Sequence, residues 1–229
     1  MSPLFGELAP RLADNNFTPI PIRPGTKRPA INKWSDIDYV ARPELLEALC
    51  RDHANASIGI LLGLVCAVDI DVLNEKLAHH CQRLVTNKLG DAPCRVGQSP
   101  KRALFFRVEG EPFSKLSTRV YEIESKKAQV ELLCDGQQIV VFGVHPDTGQ
   151  PYSWTESSLL DLDIEQLPTI SRLQADTLVR EIETEFASLS DISFPELSSP
   201  RSNVSIGTSS KTLDGRTAEI TEALGYLDS

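Results

Sequence analysis

The sequence predicts a mixed α/β or α+β domain with a mixed sheet, followed by a tail of different character. Three observations carry this. An apolar run beginning at Ile58 ends in Asp69-Ile70-Asp71 and is succeeded by an amphipathic helical pattern over 73–89. Strand-like runs then follow with no helix between them, at 103–108, 119–123, 128–133 and 138–144. A strong helical pattern over 169–188 closes the series. A βαβ unit followed by further strands is the order of a sheet covered by helices.

Each element has its own signature. Residues 3–16 place Leu4, Phe5, Leu8 and Leu12 on one side of a helix. Thr18-Pro19-Ile20-Pro21-Ile22 is extended, because proline disfavours helix at its own position and at the one before. Pro43 opens a short helix over 43–52 at its first position. The run from Ile58 to Ile70 reads as a buried strand pair with Gly63 near the turn. The 73–89 helix carries Leu73, Leu77, Cys81, Leu84 and Val85; the 169–188 helix carries Ile170, Leu173, Leu178, Ile182 and Phe186.

The tail begins at Ser188. Nine serines, with Pro195 and Pro200, fall between residues 188 and 210 without periodicity, the composition of a linker. Residues 214–227 are helical again, with Ile220, Leu224 and Leu227 in phase, yet one such helix is marginal alone. The expected organisation is a principal domain over 1–187, a linker over 188–213 and the start of a helical module over 214–229. The chain is expected to be cut from a longer protein.

Composition narrows the classes. No stretch approaches the roughly 20 apolar residues of a membrane helix, and the N-terminus lacks the basic and apolar regions of a signal peptide. The five cysteines are scattered and never form Cys-x-x-Cys. This argues against a zinc ribbon or a disulfide framework and for a reducing, cytoplasmic setting. The net charge of −9 argues at first against a polyanionic partner. However, residues 155–199 hold ten acidic and two basic residues, so the remainder of the chain is close to neutral. Two segments, Arg23–Lys33 and Arg95–Arg107, contain no acid at all. A locally positive cleft binds polyanions whatever the net charge; the plainer alternative is two solvated loops.

The strongest chemical candidate is the acidic pair. Residues i and i+2 of a strand share a face, so Asp69 and Asp71 project together while Ile70 faces the other way. Carboxylates this close repel unless a cation lies between them, although Asp71 has the alternative of capping the following helix. Glu131 interrupts the core-type strand Ala128–Leu133, where a charge needs a partner or a cation. Three carboxylates suit Mg²⁺ or Mn²⁺ rather than zinc. The loop Arg95-Val96-Gly97-Gln98-Ser99-Pro100-Lys101-Arg102 has the backbone amides, hydroxyl and cations needed to hold phosphates, without being a P-loop. His145 stands where a strand leaves the sheet, beside the turn Pro146-Asp147-Thr148-Gly149. Lys27 and Arg28, in a proline-stiffened loop, are further phosphate candidates.

In order, Pro-Ile-Arg-Pro-Gly-Thr-Lys-Arg-Pro-Ala (21–30), Gly-Ile-Leu-Leu-Gly (59–63), Val-Asp-Ile-Asp (68–71), Ser-Pro-Lys-Arg (99–102), Val-Glu-Leu-Leu (130–133), Gly-Gln-Gln-Ile-Val (136–140) and His-Pro-Asp-Thr-Gly-Gln-Pro-Tyr-Ser-Trp (145–154) resemble the bifunctional primase–polymerase N-terminal domain of the archaeo-eukaryotic primase superfamily. The resemblance spans roughly residues 15–170. It implies an RRM-like catalytic sheet joined to an N-terminal α/β part, with the site between them. It makes residues 1–187 the catalytic domain of a plasmid, phage or integrated-element replication protein.

The family pattern is an acidic pair, then Ser-x-His, then a further acid. Asp69 and Asp71 match the pair, and Glu131 matches the third acid, where aspartate is more usual. Ser99-Pro100-Lys101 falls where Ser-x-His is expected, so Lys101 replaces a histidine that contacts the incoming nucleotide's phosphates. Lysine serves there as a point charge.

The implied reaction is template-dependent nucleotidyl transfer, as DNA primase, DNA polymerase or both, by a two-metal mechanism. Asp69, Asp71 and Glu131 would hold the ions; Ser99, Lys101 and Arg102, with Arg95 and His145, would bind the nucleotide. Nucleoside triphosphates, single-stranded template and primer, and a fused or associated helicase are the implied partners. Two rivals stand beside this reading. One is another Asp-x-Asp enzyme: a nuclease, although Glu131 lacks the following Glu-x-Lys partner, or a glycosyltransferase, although no donor-binding region is recognisable. The other is a non-catalytic module that binds single strands or nucleotides.

Overall fold

In the computed structural model, which describes residues 4–123 and 125–188, the chain opens with α1 (Leu4–Asp14), β1 (Pro19–Ile22) and α2 (Pro43–Asp52). These are the elements expected from the leucine spacing, the Pro-x-Pro stretch and Pro43. The apolar run then becomes β2 (Ser57–Leu61) and β3 (Val65–Asp71), followed by α3 (Glu75–Leu89). Next come β4 (Cys94–Val96), β5 (Arg102–Glu109), β6 (Leu116–Ser117), β7 (Tyr121–Ile123), β8 (Lys126–Leu133) and β9 (Gln138–Phe142). The described chain ends with β10 (Ser153–Trp154), β11 (Thr169–Ser171) and α4 (Arg172–Ser188). The fold is α+β. The linker expected over 188–213 and the helix expected over 214–227 fall, from residue 189 on, outside the described residues.

The described residues form two sheets. One has the order β1-β2-β9; the other runs β10-β4-β5-β3-β8-β6, with β7 also on β8 and β11 on β5. The β11–β5 pair is parallel and the other strand pairs are antiparallel, so the larger sheet is mixed as expected.

The run from Ile58 to Ile70 does not form the expected strand pair. β2 and β3 are not partners: β2 lies between β1 and β9, whereas β3 lies between β5 and β8. The connection does not fold back on itself. Leu62 N–H donates to the Gln137 carbonyl, and Gly63, at φ +144°, donates to the Val65 carbonyl, redirecting the chain from one sheet into the other. Smaller differences lie at element ends. The strand expected over 119–123 starts at Tyr121, and the first three residues of the 169–188 pattern pair with β5 before the helix begins.

Alternation along β3 explains the placing of the site. Cys66, Val68, Ile70 and Val72 enter the core beneath α3 and α4, with Leu104, Phe106, Val130 and Leu132. Val65 and Ala67 face the opposite way, into a second core shared with Ile20, Ile58, Ile60 and Phe105. Burying each large apolar side chain contributes roughly 1.5–3 kcal/mol, so the two-sided burial pins the register: a one-residue slip would turn every residue to the wrong face. On the second face the next positions after Ala67 are Asp69 and Asp71. The core stops there and a cleft begins.

Candidate active site

Strand register assembles one row of side chains across the larger sheet. Arg95 of β4 is opposite Ala103 of β5, Ala103 is opposite Asp69 of β3, and Asp69 is opposite Glu131 of β8. Residues paired across strands share a face, so Arg95, Asp69 and Glu131 all project to the side of the second core. One step outward along β3, Asp71 is opposite Gln129 and forms an ion pair with Lys101 (2.6 Å). Glu131 forms another with Lys115 (2.5 Å). Asn74, not Asp71, caps α3, accepting a hydrogen bond from Leu77 N–H at 3.0 Å. The capping alternative for Asp71 is thereby removed.

The electrostatics follow from this packing. Burial pushes the Asp69 carboxyl above the ordinary carboxylate range. Arg95 opposes that shift, the neighbouring charges of Asp71 and Glu131 add to it, and Lys27 opposes it again. Like charges directly opposite on adjacent strands are destabilising, so the Asp69–Glu131 pair is a cost unless positive charge is nearby.

Positive charge is supplied by the cleft. Its volume is about 260 Å³, and Asp69, Asp71, Lys27, Arg95, Lys101 and His145 are among its lining residues. Arg95 is only 7% exposed, its guanidinium lies 4.8 Å from the Tyr152 ring centre, and its Nε has no hydrogen-bond partner. Burial works against the Arg95 charge and Asp69 supports it. A buried guanidinium with an unsatisfied donor beside a cleft is equipped to receive an anionic oxygen.

His145 is 3% exposed. Its Nδ1 accepts from Asp147 N–H (3.3 Å), and its ring meets Tyr152 edge-on at 5.3 Å. Burial holds its pKa below the ordinary histidine value, and Lys27, Arg95 and Lys101 push it further in that direction against Asp147. The imidazole is therefore neutral at neutral pH, with Nε2 as the donor. Gly97 closes this corner. A Cβ at Gly97 would stand 2.5 Å from Tyr152 Cε1 and 2.8 Å from His145 Cδ2, so only glycine lets the β4–β5 turn approach the two rings.

The remaining expected residues divide between the cleft and its surroundings. Arg102 pairs with Ile70 in register, its Nε donates to the Pro100 carbonyl (2.8 Å), and its Nη1 donates to Gln82 Oε1 and approaches His79 Nδ1. Arg102 thus ties the β4–β5 hairpin to α3 while also lining the cleft. Ser99 is exposed in the hairpin turn and Arg28 in its loop, and neither lines the cleft. Lys27 does line it, with its own carbonyl held by Gln138 Nε2 (2.8 Å). Glu131 shares the row with Asp69 but lies outside the cleft lining. Sequence reasoning passed over Gln138, Asp147 and Lys115. Asp147 reads as a turn residue, Gln138 as a strand end, and Lys115 carries no local signal at all.

The donor set suits a hard divalent cation: three carboxylates, with Asp69 and Glu131 opposed and Asp71 on the same face. Among the described residues no three His, Cys, Asp or Glu side chains converge as a ready-made cage. Asp71 and Glu131 instead turn toward Lys101 and Lys115. The residues fit the ion in identity and face, and would have to rotate to enclose it.

Residues 9–170 match the family model described as bifunctional DNA primase/polymerase, N-terminal. The chain belongs to this family. The matched span contains every residue of the Arg95–Ala103–Asp69–Glu131 row as well as Asp71, Lys101 and His145. No curated protein matches the chain. Membership gives the primase/polymerase domain its general function in DNA synthesis, and enzymes of this kind generally use divalent metals. Among the described residues no helix is long and apolar enough to cross a membrane.

Proposed function

We propose that this primase/polymerase domain catalyses template-dependent nucleotidyl transfer in the cytoplasmic replication of a plasmid, phage or integrated element. The observation that carries the reading is the meeting of carboxylates and fixed cations in one cleft. Asp69 and Asp71 of β3 line it together with Arg95, Lys101 and Lys27, Arg95 in the same row as Asp69 and Lys101 in an ion pair with Asp71. A substrate with an anionic chain, reacting at a phosphorus, needs both.

Asp69, Asp71 and Glu131 would hold Mg²⁺ or Mn²⁺, which supplies Lewis-acid stabilisation of the attacking hydroxyl and the departing pyrophosphate. Arg95 binds a triphosphate oxygen through the donor that now lacks a partner. Lys101, in the place of the family histidine, leaves Asp71 and adds a second fixed charge to the phosphates. His145 Nε2 donates to the sugar or a phosphate, and Tyr152 supports Arg95 from beneath. Lys27 and Arg28 lie on an exposed loop suited to a template or primer backbone. A fused or associated helicase would deliver the single strand.

The test supplies this domain with a single-stranded template, ribo- or deoxynucleoside triphosphates and Mg²⁺ or Mn²⁺, with and without primer. Cation-dependent extension or priming supports the reading. Salt-dependent strand binding with no synthesis in any combination would favour the non-catalytic module.

A further inference from the structure

Lys115 belongs to no motif and to none of the cleft's lining, yet it makes the closest ionic contact to the third acid, 2.5 Å from Glu131. Its position is held from both sides. Phe113, two residues before it, is 4% exposed and accepts a hydrogen bond from Asp135 N–H through its carbonyl (3.0 Å). Leu116, immediately after it, pairs with Leu132, and Ser117 pairs with Glu131 itself. The short strand β6 therefore fixes the ammonium group beside one particular carboxylate.

That carboxylate is the one directly opposite Asp69. Three negative charges lie within two steps of one row, and two of them already have an ammonium partner: Asp71 has Lys101 and Glu131 has Lys115. Lys101 stands at the cleft, where a triphosphate would draw it off Asp71. Lys115 stands outside it. The Glu131 oxygen engaged by Lys115 is not free to bind an ion in the same geometry. A divalent charge entering between Asp69 and Glu131 would also repel the ammonium group beside it.

We propose that Lys115 is an internal counter-ion of the carboxylate cluster, displaced when Glu131 turns to a divalent cation, so that β6 and its lysine set the cation affinity of the site. This rests on the reading of Asp69, Asp71 and Glu131 as metal ligands. Lys115 is a positioning residue: it acts through Glu131 and touches no substrate. The pair is partly open to solvent, so its effect is modest, about two- to fivefold in the cation dissociation constant.

The experiment measures Mn²⁺ affinity by electron paramagnetic resonance on the full chain, without nucleotide, for the unaltered protein, Lys115→Met and Lys126→Met. Lys126 is exposed at the far end of β8 and controls for the loss of one positive charge. Lys115→Met is expected to bind Mn²⁺ about two- to fivefold more tightly, and Lys126→Met to bind as the unaltered protein does. In chelator, Lys115→Met melts at a lower temperature than the unaltered protein; with saturating Mn²⁺ the gap closes, because the cation takes over the lysine's role. Equal or weaker affinity in Lys115→Met, or an equal gain in Lys126→Met, overturns the inference alone. Absence of Mn²⁺ binding from all three proteins overturns the carboxylate reading, and this inference with it.

Discussion

Arg95 and Asp69 face one cleft from strands two apart, with only the methyl of Ala103 in the row between them. The guanidinium is buried against Tyr152, its Nε lacks an acceptor, and it counteracts the upward shift of the Asp69 carboxyl. The arrangement couples acidic and basic groups of the cleft: in the proposed function, the charge that steadies Asp69 also receives an incoming phosphate.

Replacing this arginine separates it from its neighbour in the motif. Arg95→Met should weaken triphosphate binding by roughly ten- to hundredfold, the worth of a charged hydrogen bond of about 1.5–3 kcal/mol. Arg102→Met should weaken triphosphate binding less than Arg95→Met does and lower Tm, because Arg102, although it lines the cleft, bonds to Pro100 and Gln82 and ties the hairpin to α3. The measurement is the rise in Tm with a non-hydrolysable nucleoside triphosphate. A lost rise in Arg102→Met with a retained one in Arg95→Met would reverse the two roles.

Gly97 is tested by adding one methyl group. Gly97→Ala forces contacts of 2.5 and 2.8 Å on the rings of Tyr152 and His145. Overpacking of this kind costs about 1–3 kcal/mol, or about 2–4 °C of Tm for each kcal/mol in a chain of this size. Calorimetry should show that loss, with weaker nucleotide binding as the turn withdraws. An unchanged Tm and affinity would mean that the turn is not locked against the two rings.

The pH response is set in part by His145. Its folded pKa lies below the ordinary value of 6.5, so the unfolded chain takes up the proton more readily. Stability is full above about pH 6.5 and falls as the pH drops below that value toward the folded pKa. His145→Gln should flatten this part of the profile, seen as a smaller fall in Tm between about pH 7.5 and 5.5 than the unaltered chain shows. An equal fall in both proteins would assign the acid sensitivity to other groups.

Much of this architecture was legible in the sequence because its signals are local. Pro43 marked the start of α2, leucine spacing marked α1 and α3, and the period of two around Asp69-Ile70-Asp71 put both carboxylates on one face. Partner strands were not legible. β2 and β3 carry nearly continuous apolar runs because both their faces are covered, and such runs contain no record of which strand lies alongside. The same limit applied to the site. The fact that Asp69 is opposite Glu131, and that Arg95 completes the row through Ala103, depends on register across four strands. Arg102 lines the cleft, but its bonds to Gln82 and toward His79 of α3 were not legible, because they depend on how α3 lies across β5. Lys115 left no trace, since a lone lysine before a two-residue strand looks like any solvated loop position.

In the proposed function Asp69 and Asp71 form the catalytic centre of a nucleotidyl transferase. This role is tested most directly by primer extension with Asp69→Ala/Asp71→Ala, its fold checked by circular dichroism and its melting curve. Loss of metal-held charge stabilisation worth several kcal/mol predicts at least about a hundredfold loss of extension in a folded protein. Undiminished extension by that folded variant would contradict the assignment.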